Sequence, residues 1–133
     1  MLEQFIRLQD RIVALIDQTE AMLAHNDPAV DGLAQARWQF CRAVQEYELY
    51  LHNSVLEAAL RHQPHRGHEV SALKAHPIGP KLREHVMKWA SISQIDHWQE
   101  YRATCLDGLP RLRERLSSDR KAVAELFEVQ VPL

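Results

Sequence analysis

The stretch LAQARWQFCRAVQEYELYLHNSVLEAALRH, residues 33–62, decides the fold. Leu33, Arg37, Phe40, Val44, Tyr47, Leu51, Ser54 and Ala58 recur in alternating steps of four and three. That spacing keeps one stripe of a helix facing its neighbours, as in a bundle seam. Outward from it, Asn26-Asp27-Pro28 breaks the chain: Asp27 suits a cap and Pro28 a first helical turn, so the predicted helix runs over 28–62. Upstream, Phe5, Leu8, Ile12, Leu15, Ile16 and Leu23 form one apolar face of a helix over 2–25.

Downstream, residues 61–80 hold Pro64, Gly67, Pro77, Gly79 and Pro80 and read as the main interruption, with a short helical piece over 69–74. A third helix over 80–90 presents Leu82, Val86 and Trp89, with His85 beside them. Ser91 or Ser93 then caps a fourth helix over 93–127, carrying Ile95, Trp98, Cys105, Leu109, Leu112, Leu116, Asp119, Val123 and Leu126. Pro110 falls inside that pattern and predicts a kink or break. The tail ends the helix at Pro132. No segment alternates with period two, so no strand is expected. Four amphipathic helices bury their stripes best as an all-α, antiparallel up-down four-helix bundle, one domain over 1–133.

Composition narrows the function classes. An apolar fraction of 46% and a charged fraction of 26% are those of a folded domain, not a disordered chain. Formal net charge is -2, from 16 basic against 18 acidic residues, which gives no grip on nucleic acid or an anionic membrane. Apolar runs are far short of a transmembrane span. The N-terminus MLEQFIRLQD carries acids early and lacks the apolar core of a signal peptide. Cys41 and Cys105 then read as buried thiols, and the expected location is the cytoplasm.

A bundle raises the question of a metal in its core. Such sites need inward carboxylates and histidines from several helices. Asp119 is the one acid at a clear core phase. Glu48 and His52, four apart, read as an exposed or half-exposed helical pair rather than ligands of one ion. His62, His65, His68 and His76 lie in a Pro/Gly-rich loop that supplies no rigid frame for a specific site; it reads as a polar loop, sensitive to pH near histidine's ordinary range. Neither cysteine has a histidine at fixed spacing, and nucleotide, hydrolase and metalloprotease motifs are lacking. Trp38, Trp89 and Trp98 read as core or interhelix aromatics. The run RLRERLSSDRK, residues 111–121, mixes both signs as a solvated face does.

Two stretches resemble bacterial hemerythrin-like, or HHE cation-binding, domains. ARWQFCRAVQEYELYLHNSVLEAAL (36–60) resembles their second helix. KWASISQIDHWQEYRATCLDGLPRLRERLSSDRKAVAELFE (88–128) resembles their last two, with Trp89 closing one helix, a Ser-rich turn, and Ile95-x-x-Trp98 opening the next. The resemblance implies an up-down bundle around a di-iron centre held by histidines and carboxylates. This sequence departs from it at the ligands. Tyr47 and Leu51 stand where the second helix should offer His-x-x-x-Glu, with His52 just beyond. Only His85 approaches the core phase of the third helix, and Asp119-Arg120 stands in the fourth. The first helix has no histidine before His25. A di-iron centre needs about five or more protein ligands, and one or two are in place.

The expectation is therefore a degenerate metal site with no cofactor, in a non-enzymatic regulatory or interaction module that pairs with a second copy or another protein. Tyr47 and Leu51 fill the space, and a Tyr47 hydroxyl bonded to the Asp119 carboxylate replaces the metal contact. The alternative is a sensor retaining non-haem iron or zinc through Glu48, His52, His85 or Asp119. An enzyme would require a pocket with convergent polar groups and perturbed pKa values.

Overall fold

The computed structural model describes residues 1–28, 32–91 and 95–129; the side chains of residues 90 and 91 are outside this description. Among the described residues the chain is all helical, with no strand. Helix α1 spans Leu2–Ala24 and α2 spans Leu33–Tyr50. A π-helical segment, Leu51–Val55, joins α2 to α3, Leu56–His62. A 3-10 turn, Pro64–Arg66, leads into α4, Gly67–Lys74. Helix α5 spans Gly79–Ser91 and α6 spans Trp98–Leu126. No helix of the described residues is long and apolar enough to cross a membrane. Helix α1 packs on α2 and α6, and α2 packs on α5.

The apolar stripes predicted from sequence build the core. Phe5, Ile12, Ile16 and Leu23 of α1 meet Phe40, Val44, Tyr47 and Leu51, and Leu109, Leu116, Val123 and Leu126 of α6. The stripe of the second helix changes phase after Leu51, however. Val55 and Ala59 are buried where a continuing four-three pattern selects Ser54 and Ala58. The π segment is the cause: each i→i+5 turn takes up one extra residue, so every later position rotates by about 100°. The insertion brings Val55 and Leu56 inward.

Several helix boundaries, and the effect of Pro110, differ from the sequence expectations. Helix α2 begins at Leu33, not Pro28, after Gly32 with φ of 85°. Only a residue without Cβ takes that conformation at no steric cost. Asn26, with φ of 51°, closes α1, and its Oδ1 accepts from Trp98 Nε1 at 2.9 Å, tying the end of α1 to the start of α6. Ser91 belongs to α5 and does not cap the next helix, whose N-cap is His97; Ser93 lies outside the described residues. Pro110 does not break α6, which continues past it to Leu126. Pro110 is exposed. The carbonyl four residues earlier, freed by the missing proline N–H, can therefore be solvated rather than stranded in the core. The expected helix end at Pro132 falls outside the described residues, while α6 itself stops at Leu126.

Two surface readings also change. Trp38 is 60% exposed, with Arg42 over its ring at 4.8 Å, whereas Trp89 and Trp98 are buried as expected. Ile95, placed on the inner stripe of the fourth helix, is 69% exposed. The histidine-rich stretch is not an open loop. It folds into the 3-10 turn and α4, and it docks on the end of α6 through Gln63 Nε2 to the Leu126 carbonyl at 2.9 Å and Arg66 Nη1 to the Glu125 carbonyl at 2.8 Å. His62 stacks on Phe127. His65 and His68 are exposed.

Candidate functional site

A polar network lies in the core across α1, α2 and α6. Tyr47 donates its hydroxyl to Asp119 Oδ2 at 2.7 Å, the bond expected from the sequence. Asp119 Oδ1 accepts from Arg115 Nε at 3.0 Å. Gln9 Nε2 donates to the Tyr47 hydroxyl at 3.0 Å and to the Leu116 carbonyl at 2.8 Å. Gln9 Oε1 accepts from Arg120 Nε at 2.7 Å, and Arg120 Nη2 reaches Asp10 Oδ1 at 2.9 Å. Gln9, Tyr47 and Asp119 are each at most 2% exposed. The chain of bonds thus runs from Asp10 at the surface through the core to Arg115, and every buried member has a partner. A satisfied buried network fixes register among its helices; an incomplete one carries the full desolvation cost of each orphan.

Burial, and then the Asp119 charge, push the Tyr47 phenol far above its ordinary range. It remains a neutral donor at every physiological pH. Burial also raises the Asp119 carboxyl, while the Tyr47 hydrogen bond and the Arg115 guanidinium pull it back down. Gln9 was not legible in the sequence, since one glutamine between Leu8 and Ile12 reads as the rim of the apolar face.

The other candidates are engaged elsewhere or stand apart. Glu48 caps α5: its two carboxylate oxygens accept from the backbone N–H groups of Ile78 and Gly79, each at 2.6 Å. A carboxylate at a helix N-terminus meets both the orphan donors and the positive end of the dipole. A Cβ on Gly79 would lie 2.8 Å from Glu48 Oε1, so glycine there makes room for the cap. Glu48 and His52 are both half-exposed, as their spacing suggested, but the Glu48 carboxylate is taken up by the start of α5. His52 sits in the π segment, and its Nε2 is buried with no hydrogen-bond partner among the described residues. Leu51 is 2% exposed within the apolar core. Among the described residues, no three of His, Cys, Asp and Glu come together as a metal-holding group.

The structure assembles one constellation that sequence spacing hid. His85 of α5 stacks on Tyr101 of α6 with centroids 5.8 Å apart, and its Nε2 is 3.6 Å from Cys105 Sγ. Arg37 of α2 donates through Nη1 to the Tyr101 hydroxyl at 3.5 Å. These four residues lie on the wall of a cavity of about 620 Å³ between α1, α2, α5, α6 and the segment before α5. Burial pushes the Cys105 thiol up. It pushes the Tyr101 phenol up to about 12. His85 is held below its ordinary value of 6.5, first by burial and then by the charges of Arg37 and Lys88. The resting pair is thus a neutral thiol beside a neutral imidazole. The inner stripe read from the sequence omits Tyr101, although it stands three residues after Trp98 and four before Cys105, in phase with both; it is 2% exposed, ringed by Trp89, Trp98 and His85.

A pH dependence follows from His85. Its pKa is lower in the fold than in the unfolded chain, so below about 6.5 the unfolded chain binds more protons. Stability conferred by the neutral ring is complete above that value and is lost as the pH falls through the folded pKa. His85→Gln is expected to flatten the acid limb of the stability–pH curve while leaving the limb above pH 7 in place. Urea midpoints from pH 4.5 to 8 on both proteins measure this; parallel curves would remove His85 from the account.

The fold and site together define a helical bundle with a closed polar core and a separate basic-edged cavity. No family model, no curated protein and no solved structure matches the chain.

Proposed function

We propose that the chain is a hemerythrin-like, antiparallel up-down bundle that has lost a di-iron centre and works in the cytoplasm as a non-enzymatic regulatory or interaction module. The observation that carries this reading is the Gln9–Tyr47–Asp119 network. It occupies the core level where the resemblance places iron ligands on the second and fourth helices. Its acid is bonded by a tyrosine and an arginine. A cation at that level would have to displace the Arg115 guanidinium and the Tyr47 proton. The phenol resists losing that proton, because burial and Asp119 raise its pKa.

A metal-retaining sensor through Glu48, His52, His85 and Asp119 has less support. Glu48 holds the start of α5, Asp119 holds Tyr47 and Arg115, and His85 faces Cys105. A cysteine enzyme is favoured by one observation, the 3.6 Å approach of His85 to Cys105. It needs a thiolate, and the charges near His85 are cations, which oppose the imidazolium that would stabilise one.

The test is elemental analysis of untagged protein purified without chelator, with its visible spectrum. The expected result is substoichiometric metal and no absorption above the aromatic band. Iron near two per chain with oxo-bridge absorption would overturn the reading.

A further inference from the structure

The cavity beside Arg37 has a chemistry that the closed core does not explain. Its walls are apolar on three sides: Phe40 from α2, Ile78 and Leu82 around the start of α5, and Leu109 and Leu112 from α6. Four arginine and lysine side chains border it; two are already neutralised, and Lys81 is solvent-exposed. Arg115 pairs with Asp119 at 3.0 Å, and Arg111 pairs with Asp107 at 3.3 Å at the exposed edge. Arg37 is different. It is half-buried on the inner stripe of α2, its bond is to the neutral Tyr101 hydroxyl at 3.5 Å, and among the described residues no carboxylate pairs with it. A guanidinium drawn out of bulk water without a counterion is costly. The volume, about 620 Å³, lies inside the range of small-molecule sites, about 300–1,000 Å³.

We propose that this cavity binds a monocarboxylate with an aliphatic body, its carboxylate on Arg37 beside Tyr101 and its chain along Phe40, Leu82, Leu109 and Leu112. One unpaired guanidinium calls for one negative charge, and its planar fork matches a carboxylate bidentately. The apolar walls contribute through burial of the chain. The Tyr101 hydroxyl, protonated throughout the physiological range, stands beside the guanidinium to donate to the same group. The neutral His85–Cys105 pair forms part of the wall and adds no competing anion. This deepens the reading of the domain as a non-enzymatic binding module and rests on it.

The probe is decanoate, below its micellar concentration, titrated into the full chain by calorimetry, with decanol as the uncharged control. Saturable one-to-one binding of decanoate is expected, at least tenfold tighter than decanol. Arg37→Met is expected to remove that preference, leaving decanoate no better than decanol. Leu112→Trp fills the cavity from another wall and is expected to weaken both ligands; it serves as the second variant if Arg37→Met does not fold. No saturable binding of decanoate, equal affinity for decanol, or unchanged binding in a folded Arg37→Met or Leu112→Trp protein would each overturn the proposal. A metal-free protein that ignores decanoate overturns this inference alone, whereas an iron-loaded protein that binds it overturns the metal-free reading alone.

Discussion

Tyr47→Phe is expected to lower the free energy of unfolding by about 1–3 kcal/mol, although it removes a single oxygen atom. The loss does not come from packing, because the ring stays and still meets Phe5 at 5.7 Å. It comes from the groups left behind. Asp119 Oδ2 loses its donor in a position 2% exposed, and Gln9 Nε2 keeps only the Leu116 carbonyl. The native bond by itself has a modest net value, because water offers the unfolded chain an equivalent; the stranded carboxylate bears most of the cost. Urea denaturation measures it, with the midpoint falling and the slope unchanged. An unaltered midpoint would mean that Asp119 finds water or another donor, and the network would then not be what organises the core.

Glu48→Ala is the second large effect, expected at about 1.5–3 kcal/mol, the range for hydrogen bonds to a charged group. One side chain serves two backbone donors at the start of α5, and it does so from α2, so the cap also fixes where α5 begins. The glycine at 79 belongs to the same device, since a side chain there would collide with the carboxylate. The local readout is amide exchange: Ile78 and Gly79 should lose protection before the core does. Glu48→Gln should recover part of the loss, because its amide oxygen still accepts one bond. Unchanged exchange at both amides in Glu48→Ala would contradict the assignment of Glu48 as the cap.

How much of this was legible in the sequence depends on the range of the physics involved. The stripes of α1, α2 and α6 were readable because helical periodicity is a local property, and so was the Tyr47–Asp119 bond, since both residues sit at inward phases of helices that must face each other. Val55 and Ala59 were not, because nothing in HNSV announces the π segment that re-phases the stripe after Leu51. Trp38 misled for the opposite reason: a tryptophan reads as core, yet here it covers an outer face with Arg42. The cap from Glu48 and the meeting of His85 with Cys105 join residues 30, 31 and 20 positions apart, through contacts that only the packed fold sets. Gln9 shows the limit on single polar residues. Whether a glutamine at the edge of an apolar face turns inward is decided by the partner waiting for it, here Tyr47 and the Leu116 carbonyl.

The central claim is that Tyr47 and Asp119 act as one closed unit in the core, and a double-mutant cycle tests it most directly. Tyr47→Phe, Asp119→Asn and the double variant would be unfolded in urea beside the parent protein. The account predicts strong non-additivity, with a coupling energy of about 1–3 kcal/mol, within the range seen for residues in one hydrogen-bond network. Additivity within about 0.5 kcal/mol would contradict it, leaving the two residues as independent fillers of an apolar core.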